Sequence, residues 1–78
     1  MADMTNLVRF VESLKPGERN KGLFWAACRA AEDGLDPAPL IDAAAETGVN
    51  RAEAVHTTVS AAQFIAKARR DHEKVNPS

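Results

Sequence analysis

The stretch "PGERNKGLFWAACRAAEDG", residues 16–34, decides how the rest of the chain is read. It opens on a proline and a glycine, which helix interiors exclude, and closes on Gly34, a natural left-handed stop. Between them Leu23, Phe24, Ala27, Ala30 and Ala31 recur at helical spacing and share one face. The pattern predicts a helix over 19–33. Alanine at several contact positions lets a neighbouring helix approach closely. Asn20 is expected to cap this helix by accepting a bond from its free first-turn amides. Arg19 is harder to place, because a cation at a helix N-terminus opposes the macrodipole. It either clamps the bundle through an acid such as Glu18 or Glu53, or awaits a phosphate.

Reading outward, Leu7, Phe10, Val11 and Leu14 share a face of a first helix over 5–14, stopped by Lys15-Pro16-Gly17. On the C-terminal side, Asp36 caps a third helix over 37–47, with Pro37 at its first position and Leu40, Ile41, Ala44 and Ala45 facing inward. Gly48 ends it. Asn50 then caps a fourth helix over 51–72, and Glu53 three residues later makes an N-x-x-E capping box. Ala54, Val55, Thr58, Val59, Ala62, Ile65 and Ala66 form its expected buried stripe. Residues 73–78 read as a frayed tail. The expectation is an all-α, compact four-helix domain over 1–78, with a helix-turn-helix-like corner between helices 3 and 4.

Seventy-eight residues bury roughly 60% of the unfolded surface, so the core is thin. The single cysteine, Cys28, excludes an internal disulfide and a cysteine-rich zinc site, which suits a reducing compartment. No apolar run nears the roughly 20 residues of a membrane span, and the start lacks a leader's apolar run. A cytoplasmic protein without membrane association is expected. The net charge of −1 argues mildly against binding dominated by phosphates, so the distribution of charge matters more than its sum.

That distribution is uneven. His56, Ser60, Gln63, Lys67, Arg70 and Lys74 follow spacings of 4, 3, 4, 3 and 4 down one side of helix 4. Such a strip either tracks a nucleic-acid backbone or is the solvated face of an amphipathic helix. Ala44, Gly48, Val49 and Asn50 have the layout of a helix-turn-helix corner, with Arg51, Glu53, His56, Thr57 and Ser60 outermost on the second helix. Any tight helical corner needs a glycine, a plug and a cap. Trp25, flanked at four residues by Lys21 and Arg29, is assigned to a second packing surface of a central helix. Stacking on an unpaired base, or seating a partner, is the alternative. Phe64 lies off the buried stripe and either packs on helix 1 or faces a partner.

Catalysis has little support. Glu32, Asp33, Asp42 and Glu46 are isolated surface acids, and His56 and His72 are too far apart on one helix to share an ion. Cys28 reads as a small packing residue. No catalytic residue, metal site or cofactor is expected.

Residues 16–62 resemble the small helical domain that follows the catalytic core in bifunctional primase-polymerases of phages, plasmids and actinobacteria. The G-x-R-N opening is Gly17, Arg19 and Asn20, followed by a helix with Leu23, Ala26 and Ala27 that ends at Gly34. Ala44 and Gly48 belong to the next helix and its stop. Glu53, Ala54, Thr57, Thr58, Ser60 and Ala61 match an E-A-x-x-T-x-x-S-A-like run in the last. The resemblance implies a role in replication priming, holding template or linking the polymerase core to a helicase. The metal-binding acids and nucleotide-binding histidine of such a core have no place in this chain, so polymerase activity is not carried over. The nucleic-acid contacts implied are Arg19, Lys21, Arg51, His56, Thr57, Ser60, Gln63, Lys67 and Arg70, on single-stranded or primer-template DNA. The competing functions are a protein-interaction module using Trp25 or Phe64, and a small helix-turn-helix regulator.

Overall fold

A computed structural model describes residues 3–75, with side chains through Asp71. The order is α1 (Met4–Glu12), a 3-10 turn (Pro16–Glu18), α2 (Arg19–Glu32), α3 (Ala38–Glu46) and α4 (Arg51–Val75). Asp3 starts α1 by accepting from the Thr5 amide at 3.1 Å. The helix closes two residues before the expected Leu14. The Leu14 amide turns back to the Val11 carbonyl at 3.2 Å, and Pro16 forbids another helical turn.

The start of α2 corrects one expectation. The 3-10 turn runs straight into it, and the Glu18 amide donates to the Lys15 carbonyl at 2.8 Å. Arg19 and Asn20 are therefore already helical, and Asn20 is not the cap. Glu18 holds that position without a side-chain hydrogen bond. Asn50 caps α4 as expected, whereas Pro37 itself holds the cap position of α3, which runs from Ala38 to Glu46 rather than over the expected 37–47. Asp36 Oδ1 accepts from the Ala38 amide at 3.0 Å, and Asn50 Oδ1 accepts from those of Ala52 and Glu53 at 2.9 and 3.4 Å.

The α3–α4 corner follows from its residues. Gly48 has φ of 107°, a conformation L side chains rarely adopt, and the Val49 amide reaches back to the Ala44 carbonyl at 3.0 Å. Val49 then packs half-buried against the core. Helix α4 continues to Val75, past the expected end at 72, because no helix breaker intervenes before Pro77. The rest of the expected tail, 76–78, lies outside the described residues.

All four helices feed one apolar cluster, including Leu7, Val11, Leu23, Leu40 and Ala54. Among the described residues, seven of the eleven buried apolar side chains are alanines, so the helices approach one another closely. The buried stripe of α4 is Ala54, Thr58, Ala61 and the half-buried Ile65. Val55 and Val59 instead lie 41% and 48% exposed, and Ala62 and Ala66 are exposed too. The stripe is thus rotated from the expected one, because α2 and α3 contact α4 from one side while α1 does not reach it. Thr58 pairs its buried hydroxyl with the Val55 carbonyl at 2.8 Å, which removes the cost of placing it there.

Helices α2 and α4 form the largest interface and run parallel. Asn20 and Lys21 lie beside His56 and Ser60, Phe24 meets Phe64 further along, and Arg69 donates to the Glu32 carbonyl at the end of α2. That last bond satisfies an orphan carbonyl of the final turn. No described helix is long and apolar enough to cross a membrane.

Candidate nucleic-acid interface

The parallel pairing brings the first turns of α2 against the second turn of α4. Asn20, Lys21 and Phe24 from one helix and His56, Thr57 and Ser60 from the other line an open groove of about 440 Å³. Its floor is largely apolar because Phe24 is half-buried there, with the Phe64 ring 5.9 Å away. Polar side chains occupy the rim. Phe64 packs on α2 rather than α1, and 58% of it stays exposed.

Four of the nine candidate contacts, Lys21, His56, Thr57 and Ser60, therefore share one surface. Gln63, Lys67 and Arg70 continue from Ser60 along the outer side of α4, all exposed. Lys74 belongs to the same row, but its side chain lies outside the described residues. Among the described residues no carboxylate pairs with Lys21, Lys67 or Arg70. The cationic edge is open to an external anion.

Arg19 stands apart from this row. It lines a second, polar pocket of about 380 Å³ with Gly48, Asn50 and Glu53, and Asn20 borders both pockets. No described acid forms an ion pair with it, so the expected clamp through Glu18 or Glu53 is absent. Its Nη1 packs near Gly48, and its Nε is buried without a hydrogen-bond partner. Arg51 is engaged elsewhere. Its Nη1 donates to Asp42 Oδ1 at 2.9 Å across the α3–α4 corner. Both side chains are more than half exposed, so the pair contributes about 0–1 kcal/mol.

Trp25 is half exposed, with one side on Phe10 of α1 at a centroid distance of 4.9 Å. It thus packs and is accessible at once. Cys28 is half-buried, and burial first, then the nearby Glu32 carboxylate, push its thiol pKa up. A raised pKa suppresses the nucleophilic thiolate. Among the described residues no cluster of three or more histidines, cysteines or acids is placed to hold a metal.

Sequence reasoning missed Phe24 as the floor of the groove and Asn20 as its rim. It also missed Arg69, whose bond to Glu32 locks the two helices together. Only the α2–α4 pairing makes these roles visible, since no sequence spacing connects residues some 36 positions apart. No protein-family model, curated protein or solved structure matches this chain.

Proposed function

We propose that this protein is a non-catalytic, helical nucleic-acid-binding domain. It contacts DNA through the α2–α4 groove and the cationic edge that extends from it. The observation that carries this reading is convergence: Lys21 on α2 and His56, Thr57 and Ser60 on α4 meet around one groove. Gln63, Lys67 and Arg70 extend the same surface along an exposed helix side. A row of donors beside an apolar aromatic floor suits a backbone laid along the helix, with bases turned towards Phe24 and Phe64. The resemblance to primase-polymerase accessory domains supplies the setting, namely template contact during replication priming in the cytoplasm beside a polymerase core or helicase.

The test is anisotropy of a labelled DNA oligonucleotide at two ionic strengths. Binding that falls steeply with salt supports the reading, because each neutralised phosphate adds about 0.7–0.9 to the logarithmic salt slope. No binding at low salt overturns it.

A second reading, a protein-interaction module, rests on Val55 and Val59, one turn apart and 41% and 48% exposed on the free side of α4. Concentration-dependent association that Val59→Glu abolishes, without loss of DNA binding, would favour it. A helix-turn-helix regulator has less support. Glu53, Val55 and Val59 crowd the outward side of the leading turns of α4, and Arg51 is held by Asp42.

A further inference from the structure

Lys21, Trp25 and Arg29 stand one helical turn apart on the exposed side of α2. Lys21 belongs to two surfaces. It lines the α2–α4 groove, and it also borders a shelf of about 360 Å³ between α1 and α2, formed with Phe10, Leu14, Glu18 and Gly22. Phe10 of this shelf also packs on Trp25, with ring centroids 4.9 Å apart. The two surfaces are therefore continuous over a single lysine.

We infer that Trp25 is a stacking platform for an unpaired base, with Lys21 and Arg29 holding the flanking phosphates, so that the bound nucleic acid is single-stranded. The inference rests on the nucleic-acid reading above and adds to it the strand form and a second contact surface.

Three observations carry it. Half of Trp25 is exposed although Phe10 backs it, so the indole is positioned without being covered. Arg29 lies 6.0 Å from the ring centroid, at the outer limit of a cation–π contact, and its ion pair with Glu32, at 3.9 Å, is equally loose. That guanidinium is free to swing onto a phosphate or over a base. Finally, the two cations lie about 12 Å apart along the helix with the aromatic ring midway, and their long side chains can converge from either side on phosphates flanking a base stacked on the ring. An apolar protein partner has no use for two cations bracketing the ring. Paired bases are already stacked on their neighbours and offer no free face, so the platform discriminates against duplex.

Trp25 is the only tryptophan, so its emission reports this site alone. The protein is titrated with an unlabelled thymidine oligonucleotide, with an abasic oligonucleotide of equal length, and with a duplex, while anisotropy of labelled strands follows binding separately. The expected result is marked quenching by the thymidine strand, and little by the abasic strand or the duplex. Trp25→Ala weakens binding of the thymidine strand about tenfold, and leaves abasic binding nearly unchanged. Trp25→Phe, which keeps the ring against Phe10, retains most of the affinity and guards against misfolding of the alanine variant. Binding by anisotropy without quenching overturns the platform and leaves the groove reading standing. Equal quenching by base-bearing and abasic strands also overturns it, as does an emission change that follows protein concentration alone. Absence of any binding removes both.

Discussion

Leu14 and Gly22 interlock across the turn between α1 and α2. A Cβ built on Gly22 would lie 2.3 Å from Leu14 Cδ1 and 2.6 Å from Cδ2, so the isobutyl group occupies the space an alanine needs. The glycine costs helix propensity, yet it lets α1 fold down onto α2. In the Leu14→Ala background, Gly22→Ala should raise stability by about 1 kcal/mol, the plain propensity gain. In the wild-type background the same change should stabilise less or destabilise, because Leu14 must leave its half-buried site. Chemical denaturation of the four proteins in the cycle measures the coupling. Equal effects in both backgrounds would show that the interlock is energetically idle.

Asn50 and Asn20 have the same chemistry at helix starts and different work. Asn50 Oδ1 accepts two first-turn amides of α4, whereas Asn20 is the second residue of α2 and caps nothing. Asn50→Ala should therefore cost about 1 kcal/mol. Asn20→Ala should stay within about 0.5 kcal/mol, as an exposed substitution away from any cap. Thermal unfolding of both variants checks this directly. A cost for Asn20→Ala equal to that for Asn50→Ala would restore the expected cap.

The three cations differ in availability, and so should their variants. Lys21 and Lys67 have no partner among the described acids, while Arg51 already donates to Asp42 at 2.9 Å. Lys21→Ala and Lys67→Ala should each weaken oligonucleotide binding and lower the logarithmic salt slope by about 1. Arg51→Ala should change that slope less and cost no more than about 1 kcal/mol of stability. Slopes from salt titrations of the three variants decide the matter. A larger loss with Arg51 would move the interface to the α3–α4 corner.

Cys28 predicts a pH dependence of known sign. Its thiol pKa is raised in the fold, first by burial and then by the Glu32 carboxylate. The folded protein therefore keeps that proton to a higher pH than the unfolded chain. The stabilisation is fully present below the unfolded thiol's pKa and is lost as the pH rises through the folded one. Stability should decline in the alkaline range, and Cys28→Ser should flatten that decline. Iodoacetamide should modify the native thiol more slowly at neutral pH than it modifies a denatured control, and equal rates would contradict the shift.

The readable parts of this chain were local. Asp36 and Asn50 announced two helix starts, Gly34 and Gly48 two stops, and Lys15-Pro16-Gly17 the break after α1. Each of these depends on backbone sterics or on a hydrogen bond spanning two to four residues. Asn20 failed as a cap for an equally local reason: the 3-10 turn at Pro16–Glu18 moved the helical register earlier than the asparagine implied. The side of α4 that turns inward was less accessible. Val55 and Val59 are as apolar as a core position requires, and only the one-sided approach of α2 and α3 leaves them in solvent.

Sequence alone determined that the chain forms four helices, where most of them begin and stop, and that cations line one side of the last. It could not determine which helix lies beside which. Alanine-rich faces pack acceptably in several pairings, because small side chains impose little shape on a contact. The parallel docking of α2 on α4 was decided in three dimensions, by Phe24 against Phe64 and by Arg69 on the last carbonyl of α2. That choice alone joins Lys21 to His56, Thr57 and Ser60, and it leaves Trp25 half exposed beside Phe10 and Arg29.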